Sequence, residues 1–257
     1  MTDPYIVGTI DITELVFLAF VLFFIGLVFY LRREDRREGY PLEDEATGRV
    51  ESRGGALSRA SPKTFNLPHG HGIATPEAGA RDRFDIPAKR AFGSNGAAYV
   101  PTGDPLLDGI GPASWANRKN VPDVTAHGLP RIVPLSLEAD IAIAARDPNP
   151  VGMNVLGADG EIAGTVSEVW IDRAEHVIRY LAITTPGGVK VLAPMAMAVV
   201  KRKSGVIVID ALLAAQFAGA PSPAAPDTIT LYEEERIVAY FGGGYLYATP
   251  ERQEPIL

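Results

Sequence analysis

The hydrophobic positions of this chain form one long block near the N-terminus and several short runs in the C-terminal half. The block, residues 15–31, is seventeen residues long and contains neither a charge nor a proline. As an α-helix it spans roughly 25 Å, and its flanking turns bring it close to the ~30 Å hydrocarbon thickness of a bilayer. The pattern predicts a transmembrane helix over residues 12–31. A buried core helix is the weaker alternative, because the block lacks an amphipathic period.

The charges on either side of the block predict its direction. Asp11 and Glu14 precede it, an acidic start that suits the positive end of a helix dipole. Residues 1–14 contain no Lys or Arg, whereas four arginines follow the block at once: Arg32, Arg33, Arg36 and Arg37. The positive-inside rule therefore places the N-terminus outside and the rest of the chain in the cytoplasm. A cleaved signal peptide would need positive charge before the block and small residues after it.

Residues 32–134 form a segment rich in Pro and Gly, with little long apolar periodicity. The prolines favour short extended pieces and turns over long helices. Disorder is the simplest interpretation of such a composition. Apolar residues in the later half, including Leu106, Ile110 and Trp115, instead indicate packing along a partner surface. Trp115 is therefore a candidate interface residue.

The pattern changes from about residue 149 to short apolar or alternating runs that are separated by turn signals. Strands are predicted over residues 151–156, 162–171, 177–184, 189–193 and 206–209. Because tight turns join closely spaced strands here, we expect a small antiparallel barrel or sandwich over residues 135–220.

Residues 221–257 are predicted to form a linker and a C-terminal helix. The linker, residues 221–226, is rich in proline, and Thr230 with Glu233 matches a capping box. The apolar spacing that follows predicts a helix with one apolar face. Three glycines at 242–244 either end this helix or let another surface approach it closely.

Composition removes several kinds of chemistry. The 257 residues include no cysteine, which excludes disulfides, thiol nucleophiles, iron–sulfur clusters and cysteine-ligated zinc. A net charge of -7 argues against a nucleic-acid surface, which usually needs a basic patch. The motifs of serine hydrolases, zinc proteases, P-loop proteins and dinucleotide-binding proteins are absent from the sequence.

The histidines are candidates for metal or proton binding. His69 and His71 are separated by one glycine, a spacing that allows chelation of a metal ion, although a Pro-rich loop more often exposes such a pair to solvent. His127 is either an ordinary surface histidine or a proton acceptor, since the unperturbed pKa of histidine is about 6.5. The residues alone leave both interpretations open, and metal binding is not the expected one.

The densest titratable cluster of the predicted barrel comprises Asp172, Glu175, His176 and Arg179. Residues 172–175 are predicted to form the turn between two strands. One interpretation is a solvated, salt-bridged rim. The other is a chain of carboxylates that passes protons, which requires titratable groups at short spacing with pKa values tuned by their neighbours.

Short segments spread from the predicted anchor almost to the C-terminus carry a family resemblance. The most specific is residues 108–115, with the sequence DGIGPASW. Further segments in the same order are residues 37–43, 62–65, 67–70, 102–105, 161–164, 170–172, 192–195, 217–219, 233–237 and 243–248. Through them the chain resembles the H subunit of the purple-bacterial photosynthetic reaction centre.

The resemblance implies a bacterial inner (intracytoplasmic) membrane protein. It has a periplasmic N-terminus over residues 1–11, one transmembrane helix and a cytoplasmic part that contains a small PRC-type β-barrel. It also implies an accessory subunit that is not an enzyme and binds no pigment. Such a subunit caps the cytoplasmic face of the L and M subunits and shields the quinone sites. It also conducts protons towards the secondary quinone.

The resemblance places the cofactors on the partners. Bacteriochlorophyll, bacteriopheophytin, quinones and non-haem iron are expected in L and M. A light-harvesting ring and anionic lipid are further candidate partners, and nucleic acid is not. The lipid head groups would be held by the four arginines after the block, which otherwise only determine topology.

The resemblance also implies roles for individual residues at matched positions. By resemblance, Asp172, Glu175 and Arg179 lie in or beside the family's proton route, and Tyr40 lies near the interface with the pigment-binding subunits. These assignments come from the resemblance and not from the residue pattern.

One region departs from the family. Many members carry Asp-Gly-His-Gly-His at the proton entry surface, where residues 125–129 of this chain are TAHGL. Of the two histidines only the first, His127, remains, and Asp123 is the candidate replacement for the lost carboxylate. His127 as the entry histidine is a hypothesis.

Two functions from other classes compete with this one. The first is a membrane-tethered barrel that acts as an adaptor or assembly factor. The second is a membrane-anchored hydrolase that uses His127 or His176. Both explain the extended segment before residue 134 less well than a partner surface does.

Overall fold

A computed structural model describes residues 5–7, 10–37, 63–75, 87–93 and 97–253. The chain divides into two compact units, residues 1–82 and residues 83–257. The predicted interface residue Tyr40 lies outside the described residues.

The first unit is dominated by helix α1, Ile12–Arg37, which follows the short antiparallel strands β1 (Tyr5–Val7) and β2 (Ile10–Asp11). The side chain of Asp11 accepts a hydrogen bond of 2.8 Å from the Glu14 N–H, as the acidic start predicts. Within the described part of the chain, α1 supplies the one membrane-span candidate, Ile12–Asp35, with a mean hydropathy of 2.7 and none of its apolar window buried. The helix continues past the predicted end at residue 31 and includes the arginine cluster.

The chain returns to the end of α1 after residue 62. The Arg37 guanidinium binds the Glu34 carboxylate at 2.9 Å, and the Lys63 ammonium lies 3.8 Å from the same carboxylate. The Lys63 N–H also donates to the Arg37 carbonyl at 3.2 Å. A small hairpin follows, made of β3 (Phe65–Asn66) and β4 (Ile73–Ala74).

The second unit begins with the hairpin of β5 (Ala88–Arg90) and β6 (Tyr99–Pro101) and the short helix α2 (Pro105–Asp108). Its main sheet has seven strands. They are β7 (Ile132–Pro134), β8 (Asn154–Leu156), β9 (Ile162–Asp172), β10 (Val177–Thr184), β11 (Lys190–Pro194), β12 (Val199–Lys201) and β13 (Val206–Val208).

The order of the sheet is β11-β10-β9-β8-β13-β12, and β7 pairs with the end of β9. Strand β9 is long enough to pair with β8 along its first half and with β7 at its last three residues, where Ile132 lies opposite Asp172. The expectation of an all-antiparallel sheet is wrong, because β8 and β13 run parallel. Along the strands described, the hydrogen-bonded path does not close into a complete ring. The mainly-β domain itself is confirmed, and β7 and β12 are the strands that the pattern missed.

Helix α3, Leu231–Tyr247, is the predicted C-terminal helix. Its capping box is present, since the Thr230 hydroxyl accepts from the Glu233 N–H and the Glu233 carboxylate accepts from the Thr230 N–H. The glycines at 242–244 do not end the helix. Close approach is the correct alternative, because a Cβ on Gly244 would lie 2.2 Å from the Ala211 carbonyl oxygen.

The hydrophobic core lies between the sheet and α3. Phe217 and Phe241 are fully buried and meet edge to face at a centroid distance of 5.5 Å. Leu181, Ile207 and Ile237 are also fully buried in this cluster. The core therefore joins strands, the turn around Phe217 and α3 into one packed body.

Trp115 packs against its own chain. A Cβ on Gly109 would lie 2.1 Å from the indole ring, so the glycine makes room for it. On the α3 side, the Arg236 guanidinium lies 5.1 Å from the centre of the indole ring, a distance typical of a cation–π contact. The half-buried Trp115 thus helps to hold the segment from α2 onwards against α3.

Candidate functional site

A polar cleft of about 310 Å³ opens in the second unit, between the first turns of α3 and the sheet around β7, β9 and β10. It brings together five carboxylates and three arginines. The charged residues are Arg118, Asp123, Arg131, Asp172, Glu175, Arg179, Glu234 and Glu235. Tyr180, Ile132, Leu231 and Val238 complete the wall.

The turn between β9 and β10 builds one wall, as predicted. Asp172 is the last residue of β9 and is 1% exposed. One of its carboxylate oxygens accepts hydrogen bonds from the Ala174 N–H at 2.8 Å and the Glu175 N–H at 3.0 Å. The interpretation as a merely solvated rim is therefore wrong for Asp172, although the cluster is salt-bridged.

Arg131 links three carboxylates across this wall. Its Nε donates to Asp172 at 2.7 Å, one terminal nitrogen donates to Glu175 at 2.5 Å and the other to Asp123 at 3.4 Å. Arg131 directly precedes β7, and its carbonyl accepts a hydrogen bond of 2.9 Å from the Arg173 N–H. The pairing of β7 with the end of β9 therefore fixes the backbone from which this guanidinium extends.

Opposing effects act on the pKa of Asp172. Burial raises it, because a charge is costly away from water. The hydrogen bonds from Arg131 and from the Glu175 and Ala174 amides lower it by more, so the net pKa lies below its ordinary value. The same contact with Asp172 raises the pKa of Arg131 further.

Glu234 has the opposite environment on the α3 side of the cleft. Its side chain is 14% exposed, and burial raises its pKa. The hydroxyl of Tyr180 donates to it at 2.9 Å and Arg179 lies 4.0 Å away, and both contacts oppose the rise without cancelling it. Burial likewise raises the pKa of Tyr180, which remains a neutral donor.

The mouth of the cleft is more open. The exposed fraction of the side chain is 54% for Glu175, 42% for Asp123 and 44% for Arg179. Arg118 and Glu235 form a further ion pair at 2.8 Å, which ties the loop before β7 to α3. Acidic groups therefore extend from the solvent-facing rim to the half-buried Glu234.

The structure brings together Asp123, Asp172, Glu175 and Arg179, four of the residues that the sequence singled out. Sequence reasoning missed Arg131 and Glu234. Glu234 is the middle member of an acidic run at the start of α3, where an acidic first turn already has a capping explanation. Arg131 had no signal, because two of its three partners, Asp172 and Glu175, lie 41 and 44 residues away in the chain.

The histidines lie elsewhere. His127 is exposed in the tight turn between Thr125 and Leu129 and does not line the cleft. His69 and His71 are exposed in the β3–β4 loop, and His176 is exposed in the β9–β10 turn with φ at 54°. No group of three or more potential metal ligands occurs among the residues that the structure describes.

Comparison with known families identifies the class of domain. Residues 143–216 match the PRC-barrel domain, which covers most of the sheet from β8 to β13. Residues 4–137, just over half of the chain, match the N-terminal region of the photosynthetic reaction centre H chain. The fold is thus a PRC-barrel domain that follows a membrane-span candidate.

The chain belongs to the photosynthetic reaction centre H-chain family. This confirms the resemblance carried by the sequence segments. An H chain is a subunit that associates with other reaction-centre subunits in a photosynthetic membrane. Helix α1 fits the single-pass anchor of such a subunit.

Proposed function

We propose that this chain caps the cytoplasmic face of the L and M subunits, shields the quinone sites and conducts protons towards the secondary quinone. The observation that carries the proposal is the cleft. It joins carboxylates at a solvent-exposed rim to a carboxylate in a half-buried, partly desolvated position. In this role the chain is an accessory subunit without an active site, and pigments, quinones and non-haem iron belong to L and M.

The physical requirement is a supply of protons without bulk water. Full reduction of a quinone takes two electrons and two protons, and an uncompensated anion is costly in a low-dielectric site. A folded cap crossed by a few titratable groups delivers protons while excluding most solvent. Groups whose environments move their pKa values apart suit such a relay, because one stays charged while another accepts and releases the proton.

The proposed roles follow from position and charge. Asp123 and Glu175 at the rim collect protons from solvent, and Arg179 lines the same cleft 4.0 Å from Glu234. Asp172 remains ionised and keeps the field of the cleft negative. Glu234 accepts the proton inside, because burial favours its neutral form. His127 lies in a separate exposed turn that does not line the cleft, four residues after Asp123 in the chain, and is proposed as a further proton-collecting group.

The anchor and the interface complete the proposal. The arginine cluster of α1 faces the cytoplasm and the N-terminus faces the periplasm, as the positive-inside rule requires. Tyr40 is proposed to contact L and M. Trp115 is proposed to support the same interface through the segment that it holds against α3.

The test starts with the intact complex, purified from its native membranes through a tag on this chain. We expect near-infrared bacteriochlorophyll bands and two hydrophobic partner chains. Glu234→Gln and Glu175→Gln complexes should then show flash-induced proton uptake and second electron transfer to the quinone slowed by about tenfold or more. The control is Glu161→Gln, an exposed carboxylate outside the cleft, which should match the wild type.

Three results would each contradict a part of the proposal. A colourless, lone and stable chain would overturn the reaction-centre role and favour the tethered adaptor. Normal proton uptake in both cleft variants would overturn the proton route while leaving the cap intact. A His127→Ala complex with unchanged proton uptake and unchanged second electron transfer would remove His127 from the route.

A further inference from the structure

Arg131 differs from the other cations of the cleft in how many carboxylates it holds. Arg118 pairs with Glu235, and Arg179 lies 4.0 Å from Glu234. Arg131 contacts Asp123, Asp172 and Glu175 with three different nitrogens. A planar guanidinium has this capacity because its donors are arranged in a fixed fork, which a lysine ammonium lacks.

We propose that Arg131 is the positioning residue of the cleft: its guanidinium holds one buried and two rim carboxylates in a single arrangement that proton transfer requires. The inference rests on the proposed proton route and goes beyond it, because it assigns a role to a residue that does not itself take up or release a proton. The assignment is geometric. The Glu175 side chain is 54% exposed and forms an ion pair with Arg131. Removing the guanidinium would therefore release this side chain.

A purely structural role of Arg131 can be distinguished from a positioning role, because a second arginine, Arg173, links the same two segments. Arg173 binds the Glu138 carboxylate and donates to the Pro130 carbonyl at 2.9 Å. It therefore fastens the β9–β10 turn to the chain around β7, as Arg131 does. It does not line the cleft and makes no bond to Asp123, Asp172 or Glu175 among the contacts of the described residues. Arg173 is thus a matched control for folding effects.

The charge around Arg131 is unbalanced without it. The groups that face it come from the loop before β7, the β9–β10 turn, β10 and α3. They are Asp123, Asp172, Glu175, Arg179, Tyr180, Glu234, Glu235 and Arg118. Without Arg131, five carboxylates face only two arginines, and like charges at short distance favour protonation. The pKa of Asp172, now lowered by the guanidinium, would rise, and the cleft would take up protons at higher pH.

The experiment uses intact complexes with Arg131→Gln, Arg131→Lys and Arg173→Gln substitutions in this chain. The rate of second electron transfer and the flash-induced proton uptake are measured from roughly pH 5 to pH 10. For Arg131→Gln we expect transfer slowed by about tenfold at neutral pH and a profile whose midpoint moves to higher pH. Arg131→Lys should restore the midpoint more than the rate, because it returns the charge without the fork.

The outcomes separate this inference from the proposed function. If Arg173→Gln slows transfer as much as Arg131→Gln, with no change in midpoint, Arg131 only supports the fold and the positioning role is overturned. If Arg131→Lys equals the wild type in rate, the fork is unnecessary and the inference is also overturned. If Glu175→Gln and Glu234→Gln are normal while Arg131→Gln is slow, the proton route is wrong, and so is the role based on it.

Discussion

At the scale of single residues, the cleft shows how one fold gives carboxyl groups opposite tendencies. Asp172 is 1% exposed but receives a guanidinium and two amide donors. Glu234 is 14% exposed and receives one phenolic donor, with an arginine at 4.0 Å. Hydrogen bonds to a carboxylate favour its charged form, and burial disfavours it. The first therefore tends to stay ionised and the second tends to become neutral.

Asp172 should stabilise the chain in a pH-dependent way. A carboxyl group with a lowered folded pKa contributes stability above its unfolded pKa, about 3.9, and loses it as the pH falls through the folded value. We expect Asp172→Asn to lower the free energy of unfolding by about 2 kcal/mol at neutral pH. The difference from wild type should shrink below roughly pH 4. Urea unfolding of the full chain in detergent at several pH values measures it. A difference independent of pH would contradict the electrostatic origin.

The charge of Glu234 should have the opposite effect on stability. Since burial raises its folded pKa, the group disfavours the folded state above that pKa, and the penalty disappears as the pH falls through it. Glu234→Gln keeps an oxygen acceptor for Tyr180 and removes the charge. We expect the variant to unfold at equal or higher urea concentration than wild type at neutral pH, although proton transfer is slower. Marked destabilisation would instead show that the carboxylate charge is structural.

At the scale of elements, α3 is built around close approach to its neighbours. A Cβ on Gly243 would lie 2.4 Å from the Ala113 side chain, and one on Gly244 would meet the Ala211 backbone. Gly242 has ordinary room, with its nearest neighbour, the Pro112 carbonyl oxygen, 3.7 Å away. A side chain is therefore excluded by close neighbours at Gly243 and Gly244 but not at Gly242. The same helix carries Glu234 into the cleft, so its distance from the sheet affects the site.

Alanine at these positions should separate packing from helix propensity. Alanine favours a helix over glycine by about 0.8–1.0 kcal/mol, so Gly242→Ala should leave stability unchanged or raise it. Gly244→Ala should lower the free energy of unfolding by about 1–3 kcal/mol, because overpacking forces α3 away from the Ala211 backbone. Thermal unfolding followed by circular dichroism compares the two. Equal effects at both positions would show that α3 can shift without cost.

At the scale of the whole molecule, the chain combines a membrane-span candidate helix with a mainly-β unit. The anchor carries no basic residue in residues 1–14 and four arginines at its far end. A charge difference of this kind orients a membrane helix because cationic flanks are retained in the cytoplasm. The cleft lies in the second unit, so the proposed proton route requires that unit to be cytoplasmic.

Topology can be tested by moving the charge. Protease added to the cytoplasmic side of membrane vesicles should digest the second unit of the wild-type chain. Replacing Arg32, Arg33, Arg36 and Arg37 by Gln, with lysines introduced into residues 1–10, should protect a substantial fraction of it. The control carries the four Gln substitutions without added lysines and should give an intermediate result. Protection of the wild-type second unit would contradict the cytoplasmic assignment.

The amount that the sequence predicted depends on the range of the interactions. The bounds of β10, the turn after Asp172 and the capping box of α3 all follow from neighbouring residues, and each is confirmed. Strands β7 and β12 are three residues long, and β7 lies at the end of the Pro- and Gly-rich segment, for which the pattern predicted no regular strand. The parallel pairing of β8 with β13 joins residues about fifty positions apart, and no local pattern encodes it.

By itself, the sequence determined the long apolar N-terminal helix, the β-rich domain, the C-terminal helix and the family, because these depend on local hydrophobic order and on short motifs. It also identified the acidic turn at residues 172–175. Only the tertiary structure decided that Arg131 joins Asp123, Asp172 and Glu175, and that Glu234 faces them. The physical reason is that burial and charge pairing depend on distance in space, and folding brings together groups that are far apart in the chain.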